Sequence, residues 1–417
     1  NKLDLTGMKV NDSLHAEWKQ IFDESWRQMR DYFYDPNMHG VNWKAMHDKY
    51  AVLLPYVNHR NDLTYIIGEM IGELSIGHAY VNSGDRPEAE RIKMGLLGAT
   101  FSRDKSGYYK IDSILSGESW DKTLVSPLRQ PGVNVKKGDY IISINGKDVS
   151  RLDNIYQALI GKANQAIEIL VNSKASVTGS RKIFVKPIDD ESNLYYHEWV
   201  QQNIAKVTKA SGGKIGYLHI PDMGPEGLNQ FARYFYPQLD KEALIIDDRG
   251  NGGGNVSPMI IERLRRVPGL GTMMRNAKTA NIKPDAQVGP KICLIDQYSA
   301  SDGDLFPYQF QFYKIGPLLG QRTWGGVVGI RGSLPFIDGA DMRKPEFAHF
   351  SADGSRFIIE GYGVDPDIEV VNDPHQEYLG NDIQLLRAIE EMKRKLAEPG
   401  PKGVPPIPAF PDKSGKK

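Results

Sequence analysis

The stretch "KICLIDQYSASDGDLFP", residues 291 to 307, passes from an apolar strand pattern through small and acidic residues into an aromatic run. That is a strand-to-helix turn. Such a turn can present Ser301 as a nucleophile, or use it only to cap a helix beginning near Asp302. A serine hydroxyl attacks a carbonyl only when a base takes its proton and a third group orients the base. Of the nine histidines, His78 in "LSIGHAYV" stands in a glycine-containing turn far away in the sequence. Taken alone it is an isolated signal. Glu360, in "FIIEGYGVDPDIEV", ends an apolar run and by itself reads as a solvated strand end.

A second candidate stretch is "EALIIDDRGNGGGN", a strand running into glycines 250, 252, 253 and 254. Bare backbone amides at the start of a helix collect partial positive charge and can approach a ligand closely. They suit a phosphate cradle, an oxyanion hole or a tight turn under close packing. The "GK[ST]" ending of a phosphate-binding loop is missing, which disfavours the first. Asp247 and Asp248 follow an apolar strand and read as structural carboxylates. No His, Cys, Asp or Glu group has ligand spacing, so neither a metal nor another cofactor is expected.

Three kinds of element must position these residues. Leu14, Trp18, Ile21, Phe22, Trp26, Met29 and Phe33 recur at helical spacing, and "WKAMHDKYAVLL" and "DLTYIIGEMIGEL" predict two further helices, the second capped by Asp62. From about 91 to 190 the pattern changes to short alternating strands, with "LDNIYQALI" as an amphipathic helix. The loop Gly95, Leu96, Leu97, Gly98 and the run "GDYIISINGKDV" make this segment resemble a PDZ domain. In that family the loop amides bind a peptide's terminal carboxylate. From 191 onward apolar strands alternate with helices, which predicts an α/β layer with a largely parallel sheet.

The ordered set "ELSIGHAYV", the PDZ-like segment, "LIIDDRGNGGGNV", "SASDGDLFP", "GQRTWGGVVGI" and "EGYGVDPDIEV" resembles the catalytic half of tricorn proteases, within the tail-specific serine peptidases. The resemblance runs from about residue 10 to 390. It implies an α/β, crotonase/ClpP-like core with Ser301 as nucleophile, His78 as general base and Glu360 in the supporting charge network. The amides of Gly254 and Asp302 would form the oxyanion hole. Many tail-specific peptidases use a Ser–Lys dyad with the lysine 25 positions on, but 301 + 25 = 326 and residue 326 is glycine. Two departures stand out. The serine expected before the histidine is Gly77, and between Glu262 and Asp285 there is no acid to select basic side chains. The first keeps open a non-cleaving PDZ-type peptide adaptor on the same fold; a hydratase-type enzyme is a weaker rival. The second predicts apolar or acidic residues before the cut.

The expected organisation is a helical part over 1–90, the PDZ-like domain over 91–190, the peptidase core over 191–396 and a disordered, Pro-rich tail over 397–417. With 52 basic and 52 acidic residues the formal charge is zero, so nucleic acid is not an expected partner. Hydrophobic residues at 40% and charged residues at 25% suit a soluble globular protein. No run approaches the roughly 18 apolar residues that span a bilayer. The lone Cys293 reads as a buried structural thiol and leaves the redox compartment open, with the cytoplasm favoured over the periplasm. The chain starts without a methionine, as a processed or excised piece would. Peptides or unfolded chains are the expected partners, and the resemblance implies a homo-oligomer.

Overall fold

The computed structural model describes residues 13–84, 89–276, 281–282, 286–332, 334–399 and 407–415. The chain divides into two compact units, one made of Asn1–Pro87 with Val207–Lys417, the other of Glu88–Lys206. The expectation of a disordered tail falls partly on 400–406 and 416–417, outside the described residues; 407–415 form no helix or strand.

The first unit opens with α1 (Leu14–Tyr32), α2 (Trp43–Ala51), α3 (Arg60–Gly72) and the short β1 (Tyr80–Val81). The apolar stripe of α1 is buried from Trp18 onward, with Trp18, Ile21, Phe22 and Met29 packed in one core with Leu63, Ile67 and Met70 of α3, while Leu14 at the helix start is exposed. The start of α3 differs from the sequence reading. His59, not Asp62, is the N-cap, and Asp62 is the reciprocal partner three positions in, accepting from the Asn58 and His59 amides. Aspartate is the preferred cap by residue type, so only the geometry shows that His59 leads.

The second unit holds β2 (Ala99–Arg103), β3 (Tyr109–Ile114), β4 (Tyr140–Ile144), β5 (Lys147–Asp148), β6 (Ile167–Asn172) and β7 (Arg181–Val185). They form one sheet in the order β2-β3-β4-β6-β7, with β5 paired to β4. Strand β6 alternates strictly, Ile167, Ile169 and Val171 pointing into the core. The helix expected over "LDNIYQALI" is reduced to a 3₁₀ turn, Ile155–Ala158. The Asn154 side chain accepts from the Tyr156 amide and tightens the start, while Ile160 is drawn into a bridge with Met94. Tertiary pairing claims the residues a longer helix would need. Helix α4 (Ser192–Ser211) carries the chain out of this unit, which ends at Lys206.

Back in the first unit come β8 (Ile215–His219), α5 (Pro225–Phe235), β9 (Ala243–Asp247), α6 (Ser257–Leu264), the paired β10 (Gly271–Thr272) and β11 (Asn281–Ile282), and β12 (Lys291–Ile295). Then follow α7 (Asp302–Phe312), β13 (Leu318–Gly320), β14 (Gly329–Arg331), β15 (Met342–Phe347), β16 (Ile368–Glu369), α8 (Pro374–Tyr378) and α9 (Ile383–Ala397). Strands β16-β13-β12-β9-β8 make an all-parallel sheet. Every residue of β8, β9 and β12 is buried, which is why those strands read as unbroken apolar runs. Leu244, Ile246, Cys293 and Ile295 meet Phe231, Ile260, Phe306 and Phe310 from α5, α6 and α7. Cys293 is fully buried there, and burial pushes its thiol up out of the reactive range.

Because β9 and β12 are parallel neighbours, the loops that follow them leave at the same edge. The Ala300 amide donates to Asn251 O (2.8 Å), and the Gly250 amide to Asp296 Oδ1 (3.0 Å). A separate antiparallel sheet, β1-β15-β14, holds the segment that follows His78. Among the described residues no helix is long and apolar enough to cross a membrane.

Candidate active site

Ser301 occupies the N-cap position of α7 but does not cap it. Its side chain makes no cap hydrogen bond, and its backbone sits at φ 59°, ψ −119° rather than in the extended region of a normal cap. No partner for its hydroxyl occurs among the described residues. This conformation is strained for any residue with a Cβ, so neighbouring bonds must hold it. They are the Ala300 amide on Asn251 O and the Asp304 amide on Ser301 O, each 2.8 Å. A half-buried serine held at positive φ between a strand and a helix has the geometry of a nucleophile turn.

The glycine loop lies against it. A Cβ placed on Gly253 would fall 2.6 Å from Ser301 Cβ and 3.0 Å from the Asp302 nitrogen. Gly254, at φ +152°, bridges to Met223, and a Cβ there would strike Met223 O at 2.1 Å. Only glycine fits. Neither the Gly254 amide nor the Asp302 amide has a hydrogen-bond acceptor among the described residues, so both can face developing negative charge. The Asp302 carboxyl is turned away, accepting from the Ser257 amide (2.9 Å) and hydroxyl (2.5 Å), which ties α7 to the start of α6.

His78 is 8% exposed. Its Nδ1–H donates to Val328 O at 2.7 Å, which leaves Nε2 as the free base. Burial lowers its pKa, opposed by the Val328 carbonyl and, more weakly, by the charge of Glu360. The imidazole is therefore neutral at pH 7. The acid limb of kcat/KM is expected to fall below the usual histidine value of about 6.5. A limb at or above that value, measured on a peptide without titratable groups, would contradict the assignment of His78 as the base.

Glu360 does not touch the imidazole. Its Oε2 accepts from the amides of Val327 (2.7 Å) and Val328 (2.9 Å). It thereby fixes one side of Val328, whose carbonyl on the other side orients His78. The preceding Ile359 sits at φ 71°, a strained position for a β-branched residue, and Gly361 bonds back to Gly325 O at 2.7 Å. Glu360→Gln keeps the shape but loses the charge that strengthens both bonds. A drop of about 10- to 100-fold in kcat with little change in KM is expected, from about 1.5–3 kcal/mol for bonds to a charged group. Steady-state kinetics on one peptide checks this.

Ser301 and His78 share no direct hydrogen bond; Trp324 touches His78 and the turn that carries Ser301. Its amide donates to Ser299 O (3.0 Å), and its ring meets His78 edge-on at 5.7 Å and 84°. Catalytic bonds of this kind are often closed only with substrate present. The sequence reading missed Asp304, in the first turn of α7. It is completely buried, accepts from the Gly325 amide at 2.8 Å, and burial pushes its pKa up to about 6. An acid in the first turn of a helix is ordinary, so nothing marked it. Val328 was equally invisible, because a carbonyl carries no residue signature. His349 was also missed. It is half-buried, with a pKa lowered by burial and opposed by the charges of Asp302 and Glu360. No side chain precedes the histidine at Gly77, where a Cβ would meet only Trp324 at 3.7 Å; the Val328 carbonyl supplies the bond to Nδ1.

In the second unit, the loop assigned to a peptide's carboxylate already holds one from its own chain. The Gly98 amide donates to Glu191 Oε1 at 2.6 Å, and the Ala99 amide bonds the same carboxylate. The Gly95 and Leu96 amides are bonded to Leu159 O (2.9 Å) and Ile188 O (2.7 Å). Leu97 is 1% exposed.

A parallel α/β layer with a strained serine at its carboxyl edge, joined to a PDZ-type sheet, defines a serine peptidase fold. Residues 14–72 match the tricorn protease C1 domain, 95–190 the tricorn protease PDZ domain and 214–370 peptidase family S41. Tricorn protease homolog 1 of Streptomyces coelicolor is 38% identical over 94% of this chain and 37% of its own length. A putative tricorn-like protease C-terminal subunit of Sulfurisphaera tokodaii is 37% identical over 95% of this chain and 45% of its own. The crystal structure of the tricorn protease superposes with a TM-score of 0.88 at 34% identity, covering 95% of this chain and 38% of that one. The chain belongs to the tricorn proteases, within peptidase family S41. It spans less than half the length of these relatives.

Proposed function

We propose that the chain is a serine endopeptidase that cuts oligopeptides or unfolded chains through an acyl-enzyme on Ser301. The observation that carries this is the Ser301 hydroxyl, held at φ 59° without a cap bond beside two unpaired amides. Ser301 Oγ attacks the scissile carbonyl and its proton passes to His78 Nε2. The oxyanion is received by the Gly254 and Asp302 amides. The leaving amine takes the proton from His78; water, deprotonated by the same imidazole, then releases the acid product. Glu360 acts through the Val327–Val328 backbone as a positioning residue. No observation favours the non-cleaving adaptor.

The test is covalent labelling by a fluorophosphonate probe, which reacts only with an activated serine. Labelling lost in Ser301→Ala supports the reading; a wild type that is folded, assembled and unlabelled overturns it. Digestion of a mixed peptide library is expected to show cuts after apolar or acidic residues. Cuts mainly after Lys or Arg would sink that preference. The same reading carries forward the division at residues 90, 190 and 396 and the homo-oligomer, checked by limited proteolysis and light scattering.

A further inference from the structure

With Glu191 seated on the glycine loop, a peptide's carboxylate needs another receptor in the second unit. A cleft of about 760 Å³ lies directly beside that loop, within the size range of small-ligand sites. Ser126 lines it, and a Cβ on Gly98 would come within 2.9 Å of the Ser126 hydroxyl. Ser126 is 2% exposed, and its Oγ has no hydrogen-bond partner. That hydroxyl is closed off from solvent and lies against Gly98, so Ser126 separates the cleft from the loop rather than offering it a donor.

The charge of the lining suits a carboxylate. Arg129, Lys136 and Lys137 face one acid, Glu118, so the lining carries 3 − 1 = +2. None of the three cations has an ion-pair partner among the described residues, although Glu198 feels the charge of Arg129. Arg129 is steered by a bond from its Nη2 to Ile114 O at 3.0 Å. Buried Leu124 and Leu128 give the cleft an apolar floor.

We propose that this cleft, and not the glycine loop, receives the C-terminal carboxylate of an acidic peptide, held by the three cations that line it. This rests on the reading of peptides as substrates but not on the chemistry at Ser301. It is therefore tested by binding alone, in the full chain carrying Ser301→Ala.

The probe is an N-terminally labelled octapeptide ending in two acidic residues and a free carboxylate, followed by fluorescence anisotropy. The Arg129→Ala, Lys136→Ala, Lys137→Ala combination is expected to weaken binding at least tenfold. Glu191→Gln should leave it within twofold. Amidating the peptide's C-terminus should also cost at least tenfold. Unchanged binding in the triple variant overturns the proposal. So does a large change in Glu191→Gln alone, which would return the carboxylate to the glycine loop. Binding kept by the amidated peptide would show that acidic side chains are read instead, and would overturn the terminal assignment. Circular dichroism of each variant separates loss of binding from loss of fold. The three cations are exposed, so their removal leaves the core intact.

Discussion

Ser301→Ala is expected to lower kcat/KM for peptide hydrolysis by about 10⁴- to 10⁶-fold, the scale of losing a nucleophile that works as a unit with its base. The folded state should hardly notice. Alanine keeps the Cβ, so the strain at φ 59° is the same in both proteins. The hydroxyl has no partner among the described residues, so its removal breaks no bond. A shift in stability within about 0.5 kcal/mol is expected, as for substitutions away from packing and bonding features. Activity lost together with several kcal/mol of stability would mean that Ser301 is structural after all. Activity retained would move the nucleophile elsewhere.

Arg249→Ala should do the reverse and act on the fold. Arg249, with its side chain 9% exposed, pairs with Asp247 at 2.6 Å and with Asp382 at 2.8 Å, and donates to Gln384 at 3.0 Å. Asp247 is wholly buried and also takes the Tyr217 hydroxyl at 2.7 Å. Asp382 caps α9 by accepting from the Leu385 amide at 3.0 Å. One guanidinium thus joins the end of β9 to the start of α9. Its removal leaves a buried carboxylate without a counter-charge, which costs about 3–5 kcal/mol. Urea unfolding followed by tryptophan fluorescence should show a lower midpoint with an unchanged slope for the first unit. A loss below about 1 kcal/mol would mean that water reaches Asp247 once the arginine is gone. Arg249→Lys should fall between the two, because an ammonium cannot make the paired bonds of the guanidinium fork.

Much of this molecule was legible in one dimension. The buried strands β8, β9 and β12 read as apolar runs because a parallel sheet covered on its faces has no polar side to show. The stripe on α1 and the start of α7 at Asp302 followed from periodicity and turn chemistry. Ser301, His78, Glu360 and the glycine loop could be named because their types and order follow the tricorn pattern.

What stayed hidden depends on backbone, burial and long-range pairing. Whether Ser301 caps its helix or stands free is decided by a φ of 59° that bonds to Asn251 and Asp304 impose. The partner of His78 is a carbonyl 250 positions away, and no residue type announces a carbonyl. Glu360 supports the histidine through peptide groups, which spacing alone does not show. The PDZ-like loop kept its residues, yet a carboxylate from position 191 takes the Gly98 amide, and backbone carbonyls take those of Gly95 and Leu96. Residue types and their order determined the class of chemistry and the elements that carry it. Tertiary structure alone decided which hydrogen-bonding groups are already satisfied and which are left for a substrate, because that depends on which distant backbone and side-chain groups the fold brings within reach.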